Sequence, residues 1–530
     1  MAKVAEAIVG GIDVFMAWLS TTFGQNMESY CAIETADSPT TLVAHDGSLI
    51  SIVHLQGVNQ LVGAEEFERI RNGVLQSLQT SMSRSGTKVQ MLFNYDKQGA
   101  AQDIADIFAP AHATSERLGL ELKDLFDERI ENLAKYCAKE DVFMVFWTTP
   151  ASLTSEQSKR SQKDKMAMLK ASKLPPFHDT QFFLAAIPEL RESHDSYIKS
   201  FLENIRMLGI IADLLEVHDA VYEMRRTVDP EFTDISWRPE LPGDKIPARA
   251  FKEGVDGSAS DVLWPSLGRQ IMPRDAENLD LRTVRIGDRI YSTIFISLFP
   301  KEIQRFMNLF GRVLQASIPW RISFFVESDG LASTSLKASL AAVLTVTSKA
   351  NRLVSDAVNL LNHIELNTDD VVVKLRVSLA TWAPADEIGL LRTRASQLAQ
   401  AVEGWGTCDV AEVSGDAFGG VVSSMLAVSD TSEAPASVAP LSDVVTMMPL
   451  FRPASSWTTG AILFRSPDGK PWPFQPGSSQ QSTWIELIYA RPGSGKSVLS
   501  NAMNLALCLS PGIQQIGRAS CRERVLRSWG

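Results

Sequence analysis

The sequence predicts a chain of mixed class, α/β and α+β: an N-terminal region where hairpins, helices and strands alternate, followed by the start of a further α/β domain. Three observations carry this. The apolar pattern switches repeatedly between period 2 and period 3.6 along residues 41–413. A strand, a glycine-containing loop and a helix follow one another at residues 484–509. The composition, 45% hydrophobic and 21% charged over 530 residues, is that of a folded globular chain, and it excludes collagen, wholesale disorder and a disulfide-dense scaffold. A chain this long implies about three or four domains.

The net charge of −11, from 51 Lys and Arg against 62 Asp and Glu, makes the average surface repel nucleic acid and anionic lipid. Direct nucleic-acid binding is therefore not indicated, and bulk charge favours protein partners. Cys31, Cys137, Cys408, Cys508 and Cys521 form no CxxC pair, which suits a reducing, cytoplasmic compartment. The seven histidines show no HExxH spacing, and neither a GxSxG elbow nor a GxGxxG after a strand occurs. From Ala5 to Gly24, Ile8, Ile12, Phe15 and Leu19 share one helical face, interrupted by Asp13. Such a stripe docks on its own domain or lies peripherally on a membrane or a partner; it is too broken to span a bilayer.

Element by element, Asp46-Gly47 between apolar runs predicts a hairpin over Thr41 to Leu55. Phe67, Ile70, Val74, Leu78 and Met82 mark the buried face of a helix that Ser85-Gly86 ends before a strand at Lys88 to Tyr95. A second helix is expected at about Thr114 to Lys139, then a strand at Val142 to Trp147. The same order recurs with a hairpin at Gly287-Asp288, a helix over Lys301 to Gln315, a strand at Trp320 to Val326, a long helix over Ser335 to His363 and a strand at Val371 to Ala380. This reads as a structural pseudo-repeat of two α+β units, at residues 1–150 and 281–430. Between them, 151–280 reads as a basic linker carrying Lys159, Arg160, Lys163, Lys165, Lys170 and Lys173, then a helix over Tyr197 to Arg226 and an irregular stretch. After a helix over Asp386 to Trp405 and a strand at Asp409 to Val413, the Ser-, Ala- and Pro-rich segment 431–445 reads as a linker. Residues 446–516 open the further α/β domain, with a hairpin around Ser466 to Gly469.

One motif carries chemistry. Trp484 to Tyr489 is an apolar strand; Ala490, Arg491, Pro492, Gly493, Ser494, Gly495, Lys496, Ser497 and Val498 then form a Walker A loop opening a helix. Glycines at 493 and 495 let successive backbone N–H groups converge on phosphates, helped by the following helix dipole. Lys496 is the candidate catalytic residue, reaching the β- and γ-phosphates of ATP, and Ser497 is the candidate Mg²⁺ ligand. Ala490 stands where the motif has its first glycine. The hairpin before the loop is expected at the lip of the site.

The end of the chain changes character. Gly517 to Gly530 carries Arg518, Arg522, Arg524 and Arg527 against Glu523 alone, and its start is similar to a translated sequencing-adapter tail. Residues 517–530 therefore read as a non-native tail, and the natural protein is expected to continue beyond Ile516.

A mixed α+β N-terminal region, a Pro-rich linker, Asp468-Gly469-Lys470-Pro471-Trp472-Pro473-Phe474 closing a hairpin, and a P-loop followed by Val498-Leu499 together resemble the large ATPases of bacterial type IV secretion and conjugal-transfer machines. The likeness is greatest to the TraU and IcmB (DotO) branch. It covers most of residues 30–516 and is strongest over Ala490 to Asn501 and Ile290 to Phe310, where Phe299-Pro300 opens a helix. It implies a RecA-like motor at the inner face of the bacterial inner membrane, a hexamer or ring of dimers that hydrolyses ATP for pilus assembly and transfer. Its partners would be inner-membrane and cytoplasmic components of that complex. Only Gly493, Gly495, Lys496 and Ser497 carry over from the family motif; its Walker B acid, catalytic glutamate and arginine finger have no counterpart here. A non-catalytic assembly module of the same machine is the alternative, and a DNA-pumping coupling ATPase a further one.

Overall fold

The computed structural model describes residues 27–60, 62–97, 99–172, 180–230, 232, 234–245, 264–274, 276–300, 302–330, 370–413, 416–475, 488–489 and 491–509. The Ala5 to Gly24 stripe, the helix expected over Ser335 to His363, Trp484 to Leu487, Ala490 and the tail from Gly517 lie outside them. Of the described residues, those up to Asn94 and from Asp141 to Arg452 form one compact body, and those from Tyr95 to Glu140 and from Pro453 onward form another. The fold is mixed α+β with a large antiparallel sheet.

The first half of the larger body begins with β1 (Ile33–Ser38), β2 (Thr41–Ala44) and β3 (Leu49–Val58). Leu42 pairs with Ile50 and Val43 with Leu49, as the Asp46-Gly47 turn predicts. Helix α1 (Ala64–Met82) buries Phe67, Ile70, Val74, Leu78 and Met82, the stripe its spacing marks, and β4 (Thr87–Asp96) follows. The single helix expected at 114–139 is two, α2 (Ala100–Arg117) and α3 (Lys123–Ala134), before β5 (Lys139–Thr148). Gly119 at φ +65° ends α2: its N–H reaches Glu116 O at 2.9 Å and that of Leu120 reaches Ser115 O at 2.9 Å. This is a left-handed C-terminal cap that only glycine adopts at low cost.

The Lys-rich stretch read as a linker is instead helical from its start, α4 (Ser155–Ser172). Thr154 and Gln157 bond reciprocally, Gln157 N to Thr154 Oγ1 at 3.3 Å and Thr154 N to Gln157 Oε1 at 3.0 Å, a capping box that starts it. The helix expected over Tyr197 to Arg226 is also divided. Helix α5 (Pro188–Met207) turns at Leu208-Gly209 into β6 (Ile210–Leu214), and α6 (Val217–Val228) follows.

Short helix α7 (Leu267–Ile271) leads to β7 (Ala276–Asn278), β8 (Thr283–Ile286) and β9 (Arg289–Leu298), then α8 (Phe306–Ala316), which starts five residues after the expected Lys301. Strands β10 (Trp320–Glu327) and β11 (Val372–Pro384), helix α9 (Ile388–Glu403), β12 (Asp409–Glu412) and α10 (Ala417–Val422) complete the second half. The thirteen-stranded sheet runs β1-β2-β3-β5-β4-β10-β11-β9-β8-β7, with β6 beside β3, β12 beside β9 and β13 (Ser437–Pro440) beside β11.

That order is palindromic about the β4/β10 junction, so a pseudo-repeat is present in the sheet, but its first half runs past the expected residue 150 to take in α5 and β6 from the stretch expected as a connection. Each half is a split β-α-β of ferredoxin-like type: β6-β3-β5-β4 in one, β12-β9-β11-β10 in the other. Even the irregularities match. The β3–β6 register skips Gln56, with Leu55 opposite Ala212 and Gly57 opposite Ile211. The β9–β12 register skips Ser297 in the same way, with Ile296 opposite Val410 and Leu298 opposite Asp409. A bulge kept at corresponding positions is a specific feature of a strand rather than a packing accident.

After the second half the chain is buried without interruption from Ala417 to Val428. Gln90 on β4 receives it: its Nε2 donates to Met425 O at 2.8 Å and to Ser323 Oγ on β10 at 2.9 Å, and its Oε1 accepts from Ala427 N at 2.9 Å. Arg321 on β10, fully buried, donates from Nε to Ser424 Oγ at 2.8 Å and from Nη1 to Thr227 O; burial lowers its pKa to about 10, which leaves it charged at neutral pH. The segment 431–445, expected as a linker, instead belongs to this body. Its strand β13 (Ser437–Pro440) pairs antiparallel with β11, Ala434 is fully buried, and α11 (Leu441–Met447) follows. Pro440 closes the strand, where its missing N–H costs least.

His194 on α5 is fully buried between Ser51 on β3 and Thr148 on β5. Ser51 Oγ gives its proton to Thr40 O at 2.9 Å, so it accepts from Nε2–H at 2.9 Å, and Nδ1 accepts from Thr148 Oγ1 at 2.8 Å. The imidazole is thus the neutral Nε2–H tautomer, and burial lowers its pKa to about 4. The unfolded chain, with an ordinary histidine value, binds the proton first as pH falls. Stability is therefore full above about pH 6.5 and declines by about 1.4 kcal/mol per pH unit down to about pH 4. Urea midpoints between pH 7 and 5 should show this slope in the natural chain and lose it in His194→Gln; equal slopes would exclude His194 as the cause.

Candidate functional site

The smaller body joins two distant stretches. Helices α2 and α3 bring Ala100, Ile104, Phe108, Ala111 and Phe126; the hairpin of β14 (Ile462–Arg465) and β15 (Pro471–Phe474) brings Ala461 and Ile462; α12 (Lys496–Cys508) brings Met503 and Ala506, with Leu509 just beyond. Met503 and Ala506, with partly buried Leu499, form the i, i+4, i+7 stripe of a helix docked on one face. Pro110 inside α2 removes one ladder donor, and near it Ile107 O accepts from Gly460 N at 3.1 Å.

The expected hairpin is present, with Ile462 opposite Phe474 and Arg465 opposite Pro471. Its tip is fixed on the strand ends beside it: Ala138 N donates to Gly469 O at 2.9 Å, Tyr95 Oη to Asp468 O at 3.0 Å, and Lys470 Nζ pairs with Glu140 at 3.1 Å. The side chain of Glu140 is 1% exposed and that of Lys470 13%, so this is a buried ion pair. Where the hairpin meets α12, Gln475 Nε2 donates to Ala506 O at 3.4 Å. That is eleven residues, ~16 Å of helix, beyond Gly495, so this contact falls away from the lip of the loop.

Two residues of the loop take a left-handed backbone. Gly493 lies at φ +77° and Gly495, the N-cap of α12, at φ +86°. A side chain at either would be strained by the backbone alone, for a Cβ there would meet nothing within 4 Å. Ser494 N and Oγ both donate to Arg491 O, at 3.2 and 2.6 Å, and the first helical bond runs from Leu499 N to Gly495 O at 3.0 Å. The N–H groups of Lys496, Ser497 and Val498 precede that bond and so have no partner within the helix. Arg491 to Val498 are all exposed, Val498 at 74%. The sequence-predicted residues from Arg491 to Val498 are therefore contiguous at one helix start, and Ala490 lies outside the described residues.

The donor set fits a nucleotide phosphate chain: three amides, one ammonium and one hydroxyl open to solvent on one helix end. Among the described residues, no group of three or more His, Cys, Asp and Glu could hold a metal ion. Ser497 would bind Mg²⁺ only together with phosphate oxygens. Also among the described residues, no helix is long and apolar enough to cross a membrane. Sequence reasoning missed the helical base on which α12 rests. Its signal was Leu118-Gly119-Leu120, the stop that separates α2 from α3. No family model and no curated protein matches the chain.

Proposed function

We propose that this chain is the ATP-binding subunit of a bacterial type IV secretion or conjugation apparatus, with the stretch from Pro453 rather than from residue 446 opening a RecA-like motor domain. The observation that carries the reading is the loop: two glycines at positive φ bracketing Ser494, with Lys496 and Ser497 starting a helix. Bound Mg²⁺ and ATP would supply the phosphoryl chemistry. The chain's own residues orient and neutralise it, Lys496 at the β- and γ-phosphates, Ser497 at the metal, and the amides around them at the phosphate oxygens. The proposed partners are inner-membrane and cytoplasmic subunits, and further copies of the chain in a hexamer or ring of dimers. A non-catalytic docking role is the second reading, favoured by the size of the duplicated scaffold, which holds none of the loop residues.

Titration of the full chain with a fluorescent ATP analogue and Mg²⁺ tests this. Lys496→Ala and Gly495→Val should each weaken binding at least about tenfold, a loss of ~1.4 kcal/mol. Unchanged affinity in both would remove the nucleotide reading and leave the docking role.

A further inference from the structure

The two halves of the large sheet differ at a place where their registers correspond. Val53 on β3 faces the last residue of β6, Leu214, and Ile294 on β9 faces the last residue of β12, Glu412. Counting back from these, Leu49 corresponds to Ile290 and Ser51 to Ser292. Leu49 packs against Leu190 of α5, and Ile290 against Leu391 of α9. One turn further along the two helices, His194 therefore corresponds to Ala395, and after another turn Ile198 corresponds to Ala399. In the first half the imidazole of His194 fills the space and takes the Ser51 hydroxyl. In the second half a groove of about 850 Å³ opens there, lined by Ser292, Thr293, Ala395, Ser396 and Ala399. That volume lies within the range of small-molecule sites.

We propose that this groove binds a small molecule, a planar nitrogen heteroaromatic that carries an anionic group. The ring takes the place that the imidazole has in the other half, with Ser292 offering the hydroxyl that Ser51 offers to His194. The anion is assigned to Arg392, which lines the groove, is exposed and has no ion pair among the described residues. The other charges on the rim are engaged: Arg282 Nη1 pairs with Glu412 at 2.5 Å, and Asp280 accepts from the Arg282 amide at 2.8 Å.

Calorimetric titration of the full chain with benzimidazole-5-carboxylate, benzimidazole and benzoate tests each part. The ring with the carboxylate should bind once per chain, and benzimidazole about tenfold more weakly, the ratio expected for one lost charge contact. Arg392→Gln should bring the first probe to the level of the second. Ala395→His, which copies the first half, should abolish binding of both, and Ala399→Leu serves as a second filling variant should the first not fold. Neither filling change should alter ATP-analogue binding. Absence of binding, binding that survives both filling variants, or benzoate binding as tightly as the ring-bearing probes would overturn the assignment.

Discussion

A Lys470→Ala variant will lose about 3 to 5 kcal/mol from the smaller body, because it strips the ammonium from a carboxylate that is 1% exposed. Glu140 stands at the start of β5 and cannot reach water without moving the strand end that also anchors the hairpin tip through Ala138 N and Gly469 O. The pair itself is weak evidence of net stability, since two charges were desolvated to make it; breaking it on one side is what costs. The double variant Lys470→Met with Glu140→Gln should therefore recover most of the loss. Hydrogen exchange locates the effect: amides of α2, α3 and α12 should lose protection while those of β10 and β11 keep theirs. Uniform loss across both bodies, or none, would show that the pair does not hold this body together.

Gln90→Leu should destabilise the larger body by about 3 to 5 kcal/mol at nearly constant side-chain volume. The substitution leaves Met425 O and Ala427 N without their partner inside the core, and each buried orphan costs roughly 1 to 3 kcal/mol. Ser323 Oγ loses a donor as well. Ala427 sits at φ +53°, strained for alanine, so the amide that holds it there does more than satisfy one N–H. Gln90→Glu tests the same point differently, since it retains an acceptor for Ala427 N and loses the donor to Met425 O. Denaturant midpoints of both variants, with Leu worse than Glu, check the ranking; an unaffected Leu variant would mean that residues 425–427 find other partners.

Most of the large sheet was legible as short apolar runs, since strands such as Leu49–Val58 and Trp320–Glu327 are buried on both faces, and the helix at 64–82 was legible because it buries one face, so period 3.6 reports directly on the core. Phe67 to Met82 is the clearest instance. What was not legible falls into two physical kinds. Helix stops at Gly119 and Gly209 lie inside longer amphipathic patterns, and periodicity carries across a turn that keeps the same face inward, so α2 and α3, or α5, β6 and α6, read as single helices. Polarity misled at α4 and β13, where a capping box at Thr154 and an edge position for Pro440 decide the structure while composition suggests a linker. The glycine turns at 493 and 495 and the helix opening beside them were legible, because local backbone stereochemistry fixes them. Their helical support was not, since the contacts that matter join residues nearly four hundred positions apart, from Ile104 to Met503.

That separation has a consequence during synthesis. Ile104, Phe108 and Phe126 leave the ribosome long before Ala461, Met503 and Ala506, with the 312 residues from Asp141 to Arg452 made in between. At about 5 to 20 residues per second this takes roughly 15 to 60 s. Throughout that interval the helical hairpin presents an apolar face whose partners do not yet exist, while the large sheet is itself still being completed strand by strand. The newborn chain therefore passes through a long-lived, half-covered species, and its demand for a holding chaperone should depend on translation speed downstream of codon 140 rather than on the stability of the finished protein.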